Sequence, residues 1–189
     1  CMVKGLAETA GRRLVRVRHI SAFVDVPDLV ARTGIDNGDC RALASADAMR
    51  FVSGHRHRAS WDIAGIEPPL PLLQGAGIRE GTPMLRRPTE GQDIAADYNS
   101  TGLTLRRHPM ALLRGYFGER RILSAAAVAD LPDESWIETA GIVITRQRPG
   151  SAKGVFFVTL EDETGYLNLI VWERVALRQR RTLLESTLL

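Results

Sequence analysis

The sequence predicts an α+β fold in which a helical N-terminal part precedes a Pro/Gly-rich segment and a small antiparallel β-sheet. Three observations predict it. Apolar residues recur at helical spacing before residue 60, prolines and glycines accumulate in the following stretch, and two β-rich runs flank the turn Asp162-Glu163-Thr164-Gly165. We therefore divide the 189 residues into a helical module, a Pro/Gly-rich linker, a connecting helical segment and a β domain: residues 1–60, 61–96, 97–133 and 134–189.

The composition restricts the function classes. The net charge is +3, and residues 1–58 carry ten Lys/Arg against six Asp/Glu, so a phosphate-backbone partner is compatible with the N-terminal part. Cys1 and Cys40 are too few for a disulfide framework or a sulfur-based zinc site. No apolar run approaches the roughly 20 residues that cross a bilayer, and no signal peptide opens the chain. We expect no membrane partner, a cytoplasmic location and, from the chain ends, a piece of a longer protein.

The first sixty residues predict two successive helix–turn–helix units. A tight turn at Lys4-Gly5-Leu6 leads into a helix whose apolar stripe continues through Ala10 and Leu14. A second short helix over residues 26–34 ends at the turn Gly34-Ile35-Asp36, which leads into a third helix. We call Lys4-Gly5-Leu6 the first turn and Gly34-Ile35-Asp36 the second turn.

The β-rich runs predict a sheet with one buried and one outward face. Alternation in VFFVTLEDETGYLNLIVW puts one apolar set inward: Phe156, Val158, Leu160, Leu167, Leu169 and Val171. Phe157 and Tyr166 then lie on the other face, together with Asn168, Ile170 and Trp172. Three strands around an acidic turn are typical of an OB-fold β-barrel, here truncated, and OB barrels mostly bind single-stranded nucleic acid or oligosaccharide.

Three stretches carry a resemblance to a known family: VKGLAETAGRRLV, ADYNSTGLTLRRHPMALLR and WIETAGIVITRQRPGSAKGVFFVTLEDETGYLNLIVW. The chain resembles the C-terminal portion of the bacterial C-family DNA polymerases, the polymerase III α subunits, and most closely their error-prone, damage-tolerant branch. The resemblance implies a tandem helix-hairpin-helix module followed by an OB domain, both handling template DNA. It also implies that Mg²⁺ and the catalytic aspartates of nucleotide transfer belong to a distant palm domain. We therefore expect no catalytic residue, no metal site and no cofactor in this piece.

The first turn is the candidate duplex site. In the functional hypothesis, Lys4, Gly5 and Leu6 bring backbone N–H groups to a DNA phosphate at a helix N-terminus, and Arg12 or Arg13 adds positive charge. The alternative is an ordinary corner with solvated arginines. The second turn carries Asp36 and is interpreted as packing.

The β domain offers two candidate contacts with single-stranded template. Phe157 and Tyr166 stack on unpaired bases in one hypothesis, at about 1–3 kcal/mol per base, and plug the barrel or contact a helical layer in the other. Arg146, Arg148 and Lys153 grip phosphates from a Gly/Pro loop, or are solvated loop charges. At the level of function, the competing hypothesis is a module that docks other lesion-bypass or replisome proteins without touching DNA.

Overall fold

The computed structural model describes residues 2–66, 83–152 and 154–189, and it confirms the α+β class. The chain divides into two compact units, Cys1–Arg106 and Arg107–Leu189. Much of the predicted Pro/Gly-rich linker, residues 67–82, lies outside the described residues, and so does Lys153. The helices of the first unit are α1 Glu8–Ile20, α2 Val26–Thr33, α3 Asn37–Ser45, α4 Arg50–Ser53, α5 Arg56–Ala64 and α6 Glu90–Thr101. The second unit contains α7 Pro109–Glu119, α8 Ala125–Ala129, β1 Ile142–Gln147, a 3-10 turn Gly150–Ala152, β2 Phe156–Asp162, β3 Gly165–Val171, α9 Glu173–Arg178 and α10 Arg180–Glu185.

Local signals explain where the first helices begin and end. The Asp25 side chain accepts a hydrogen bond from the Asp28 N–H, which starts α2, and Pro27 fits its first turn. Gly34 ends α2 at φ +59°, in the left-handed region that glycine adopts without strain. Asp36 then starts α3. The predicted second helix and the turn that follows it are confirmed.

Within its described residues, the helical unit has one apolar core. It is formed where the stripe of α1 meets the inner faces of α2, α3 and α5, and the buried members are Ala10, Val26, Leu29, Ile35, Cys40, Leu43, Ala44, Met49, Ala59 and Ile63. Cys40 is a free, buried thiol within this core. In the second turn the Ile35 side chain packs into this core, while Gly34 and Asp36 on either side of it are exposed.

Helix α6 begins within the predicted Pro/Gly-rich linker of residues 61–96 and continues into the predicted connecting segment of residues 97–133. Thr89 forms a capping box with Gln92: the Thr89 hydroxyl accepts from the Gln92 N–H, and the Gln92 side chain accepts from the Thr89 N–H. This cap starts the helix directly after the Pro-rich stretch, and Gly102 ends it at φ +82°. The prolines upstream therefore do not prevent residues 90–101 from forming a helix.

A cluster of charges around the buried Arg56 fixes α6 within the helical unit. The Arg56 guanidinium lies 2.7 Å from Asp93 Oδ1 and 2.6 Å from Asp97 Oδ1. Arg106 lies 2.8 Å from Asp47 Oδ2 and 3.1 Å from Asp93 Oδ2. Burial alone raises the pKa of Asp97, but hydrogen bonds from Arg56 and a neighbouring threonine hydroxyl outweigh it, so the pKa is lowered overall. The three aspartates exceed the two arginines by one negative charge, and Arg50, 3.9 Å from Asp47 Oδ2, offsets it.

The sheet of the second unit is antiparallel in the order β1-β2-β3. Its predicted register is confirmed: Val158 and Leu160 are 1% and 2% exposed, and Phe157 pairs with Ile170 on the opposite face. The β1–β2 pairing shifts register between Val143 and Thr145. Because of this shift, Arg146 faces Val158 on the buried side of the sheet.

A fourth segment, residues 187–189, forms an isolated antiparallel β-bridge with Ile142 along the free edge of β1. Gly141 and Leu189 exchange two backbone hydrogen bonds of 2.9 and 3.1 Å, and the Val143 N–H donates to the Thr187 carbonyl at 2.9 Å. A Cβ at Gly141 would lie 2.8 Å from the Cβ of Leu160, so only glycine fits this crossing. Strand β1 is therefore paired on both edges, with α9 and α10 between β3 and the fourth segment. This arrangement is consistent with a truncated OB-like domain.

Candidate nucleic-acid interface

The first turn presents an exposed backbone at the start of α1. Gly5 has φ +82°, and both Lys4 and Gly5 are exposed. Two amides near the turn are already used: the Lys4 N–H donates to the Ser100 carbonyl at 2.8 Å, and the Ala7 N–H donates to Asp39 Oδ1 at 2.9 Å. No side chain caps α1 at Ala7. The amides of the exposed residues Glu8 and Thr9 are therefore left to solvent or to an anion, whereas Ala10 is fully buried.

The second turn is closed by its own side chains. Asp36 accepts a hydrogen bond of 2.8 Å from the Asp39 N–H at the start of α3. Ile35 is buried in the core, and Asp39 itself is buried beneath the first turn. A carboxylate thus already occupies the position that a phosphate would take at this helix N-terminus.

The two candidate arginines of α1 are both exposed but differ in their neighbours. Arg12 pairs with Glu8 at 2.7 Å, one helical turn away, and both side chains are largely exposed. The Arg13 Nη1 atom lies 3.9 Å from the position that a Cβ would take at Gly34. Arg13 therefore lies beside the second turn, whereas Lys4 and Gly5 lie at the first.

The outer face of the sheet is the surface formed by Phe157, Thr159 and Glu161 of β2 with Tyr166, Asn168 and Ile170 of β3, extended by Trp172. Phe157 is 40% exposed and Tyr166 is 65% exposed, so neither plugs the barrel. Between them runs a polar row across the three strands. The Thr145 hydroxyl donates to Thr159 at 3.2 Å, and the Thr159 hydroxyl donates to Asn168 Oδ1 at 2.9 Å.

Ile170 and Trp172 belong to this surface although the sequence analysis did not include them among the site residues. Ile170 pairs directly with Phe157, and Trp172 is 66% exposed two residues further along. The sequence alternation that places Tyr166 on the outer face also places Ile170 and Trp172 there, so both could have been predicted as site residues. Three apolar side chains therefore lie toward one end of the outer face.

The other end of the outer face is acidic. The negative charge of Glu161, and its hydrogen bond with the phenol, raise the pKa of Tyr166. Glu161 and Tyr166 are direct partners across β2 and β3. An incoming phosphate is repelled at this end, so the end with Phe157 and Trp172 is the more suitable for a nucleic-acid strand.

The basic loop does not present its three cations alike. Arg146 Nε donates to the Leu183 carbonyl at 2.5 Å, and its Nη2 donates to the Ser186 carbonyl, so this side chain holds the end of α10. Arg148 is exposed, and its guanidinium carbon lies 5.5 Å from the centroid of the Phe156 ring. Lys153 lies outside the described residues.

The acidic turn is held by cations and amides. Arg114 of α7 contacts Asp162 at 3.0 Å and Glu163 at 2.5 Å. Burial raises the pKa of Asp162, but hydrogen bonds to its carboxylate, first from Thr164, lower it overall. The remaining donors to Asp162 are the backbone N–H groups of Ala125, Thr164 and Gly165. With its oxygens engaged in this way, the turn does not fit Mg²⁺, and within residues 2–66, 83–152 and 154–189 no group of three or more metal-ligating side chains is placed to hold an ion.

Comparison with known proteins identifies the family. Residues 1–59 match the helix-hairpin-helix motif. An error-prone DNA polymerase of Alkalilimnicola ehrlichii is 47% identical over 188 residues, which cover 100% of this chain and 18% of the relative. Those of Xanthomonas oryzae and Methylococcus capsulatus are 47% and 44% identical over 99% and 100% of the chain, and 17% and 18% of their own lengths. No helix in the described part of the chain is long and apolar enough to cross a membrane. This chain, which spans less than a fifth of those relatives, belongs to the error-prone DNA polymerase family.

Proposed function

We propose that this part of an error-prone DNA polymerase binds template DNA, with duplex at the first turn and single strand at the outer face. In this proposal, nucleotide transfer with Mg²⁺ is carried out by other parts of a longer polypeptide. The whole protein acts in damage-tolerant DNA synthesis in the cytoplasm. The observation that carries the proposal is the outer face. It exposes Phe157, Ile170 and Trp172 together, and it does so within a chain whose relatives are named as DNA polymerases.

The match of residues 1–59 to a helix-hairpin-helix motif supports the duplex contact. Of the two glycine turns, only the first leads into a helix without a side-chain cap, among the residues that the structure describes. Lys4 is exposed beside it and supplies a positive charge for a phosphate. Leu6 packs against the core and fixes the turn, so its part in the proposal is positioning.

The stacking of bases on the outer face follows from its geometry. An aromatic ring on a strand stands roughly perpendicular to the sheet, and each base offers a π-face to it. Asn168 lies on the same face opposite Thr159, two residues from the partner of Phe157, and its amide offers hydrogen-bond donors near that ring. Tyr166 lies beside Glu161 and is expected to contribute less.

Phosphates of the single strand are assigned to Arg148 and Lys153. Arg148 is exposed in the loop between β1 and β2 and lies near the ring of Phe156, so its side chain must turn away from that ring to contact a strand on the outer face. Arg146 contributes positive charge, but its guanidinium is engaged by two carbonyl oxygens of the C-terminal segment. We therefore expect Arg148→Ala to weaken single-strand binding more than Arg146→Ala does.

The experiment is a salt titration of binding to fluorescent oligonucleotides, one single-stranded and one duplex. Each phosphate contact contributes about −0.7 to the slope of log K against log salt on single strands and about −0.9 on duplex. We expect negative slopes with both ligands, and a shallower single-strand slope for Arg148→Ala. The competing hypothesis gives the outer face to a lesion-bypass or replisome protein. The absence of salt-sensitive DNA binding at low ionic strength would support that hypothesis and contradict ours.

A further inference from the structure

Trp136 is the most exposed aromatic side chain of the second unit, at 102% of its reference surface. It lies in the Trp136 loop, defined as residues 130–138, which precedes β1 and is exposed along its whole length. Leu131 and Ile137 also expose part of their apolar surface in this loop. Apolar surface of this kind is costly to leave in water, and Trp is the residue type most enriched among the side chains that dominate protein–protein interfaces.

Carboxylates surround the exposed tryptophan. The loop contains Asp130, Asp133, Glu134 and Glu138, and none of these four forms an ion pair or a side-chain hydrogen bond with any residue that the structure describes. Residues 122–145 contain no Lys, Arg or His. A strongly negative, unneutralised segment therefore lies within a chain whose net charge is +3.

The loop is anchored at its base. The Leu123 N–H donates to the Glu138 carbonyl at 2.8 Å, and the Thr139 hydroxyl donates to the Leu123 carbonyl at 2.9 Å. Within the loop, the Ser135 hydroxyl donates to the Pro132 carbonyl at 2.6 Å, and Glu134 has φ +64°. At the other end, the Leu131 N–H donates to the Val128 carbonyl of α8 at 3.2 Å. Trp136 is therefore displayed from a backbone that is held at both ends, and less entropy is lost when a partner covers it.

We propose that the Trp136 loop is a docking surface for a basic amphipathic protein segment, whose apolar side chains cover Trp136 and whose Lys or Arg residues pair with the surrounding carboxylates. Charge complementarity selects this occupant. Four carboxylates repel the phosphates of a nucleic acid, and they attract a cationic peptide from a distance. The surface is distinct from the outer face and the first turn, so the inference stands independently of the DNA-binding proposal.

The test measures the fluorescence anisotropy of a labelled amphipathic helical peptide of Leu and Lys mixed with the 189-residue chain. A matched Leu/Glu peptide serves as the ligand control. We expect the Leu/Lys peptide to bind, the Leu/Glu peptide not to bind, and Trp136→Ala to weaken binding by about tenfold or more. The double variant Asp133→Asn/Glu138→Gln should weaken binding and flatten its salt dependence, whereas Glu119→Gln, which removes an exposed carboxylate on α7, should leave it unchanged.

Several results would overturn the proposal. Failure of the Leu/Lys peptide to bind, equal binding of both peptides, or unchanged binding by Trp136→Ala would each do so. Loss of single-strand affinity in Trp136→Ala would assign the loop to DNA instead. Thermal unfolding of Trp136→Ala serves as the folding control, because a fully exposed side chain contributes little to stability.

Discussion

The two units differ in the groups that their candidate contact surfaces offer to a ligand. The helical unit buries a cluster of arginines and aspartates and presents a bare glycine turn with a lysine beside it. The sheet unit gathers its buried charges at one acidic turn and leaves aromatic side chains on an open face. The helical unit can therefore contact a ligand through backbone amides and cations, as a duplex backbone requires. The other is suited to contacting a ligand through side-chain rings, which suits unpaired bases.

The largest expected effect concerns the buried charges of the helical unit. Arg56→Ala leaves Asp93 and Asp97 to share Arg106 alone, and we expect the free energy of unfolding of this unit to fall by about 3 kcal/mol. Urea denaturation measures it. Arg12→Ala, which breaks only an exposed pair with Glu8, should cost less than about 0.5 kcal/mol. Equal effects of the two variants would refute the structural role of the cluster.

The sheet unit should show a similar dependence on its acidic turn. Asp162→Ala removes the acceptor of several hydrogen bonds and leaves Arg114 with Glu163 alone, so we expect a loss of about 3 kcal/mol. The folded pKa of Asp162 is lowered, so its stabilisation is present above the ordinary value of 3.8 and is lost as the pH falls from there through the folded pKa. Asp162→Asn, which does not titrate, should weaken this acid dependence in thermal unfolding curves. An unchanged pH profile would contradict the assignment.

A smaller effect, on binding rather than stability, distinguishes the outer face from the core of the sheet. Phe157→Ala and Trp172→Ala should each lower single-strand affinity by about 1–3 kcal/mol, because each removes a stacking ring. Leu160→Ala is the matched control, since Leu160 lies on the buried face of the same strand as Phe157 and should lower stability instead. Binding and thermal unfolding are measured on all three variants. A collapse of stability in Phe157→Ala would mark that ring as core.

The smallest effect is expected at the acidic end of the outer face. Glu161→Gln removes the negative charge that raises the pKa of Tyr166, so this pKa should move down toward its ordinary value of 10.0. Ultraviolet titration of the phenol measures the change. The same variant should strengthen single-strand binding slightly, because one repulsive charge is lost. A Tyr166 pKa that does not move would show that another group causes the shift.

The sequence predicted those features of the fold that depend on short-range patterns, such as the faces of the sheet and the ends of helices. The alternation from Phe156 to Leu160 was sufficient to define the buried and outer faces, and Gly34 marked the end of a helix. Helix α6 was missed because the prolines upstream outweighed the capping signal of Thr89 and Gln92. The bulge in β1, which turns Arg146 inward, leaves no distinctive spacing in the sequence.

The charged clusters were beyond prediction for a different reason. Arg56 and Asp97 are 41 residues apart, and Arg114 and Asp162 are 48 residues apart, so only tertiary packing brings each pair together. No periodicity along the chain indicates such partners. The same limit applies to Asp39, whose carboxylate binds an amide beside the first turn from 32 residues away.

The central claim, that the two units bind different forms of DNA, is tested most directly by measuring duplex and single-strand affinities of Lys4→Glu and Phe157→Ala side by side. Lys4→Glu should weaken duplex binding uniformly across sequences and leave single-strand binding nearly unchanged. Phe157→Ala should do the reverse. A parallel loss of both affinities in both variants, or no change in either, would contradict the division of roles between the first turn and the outer face.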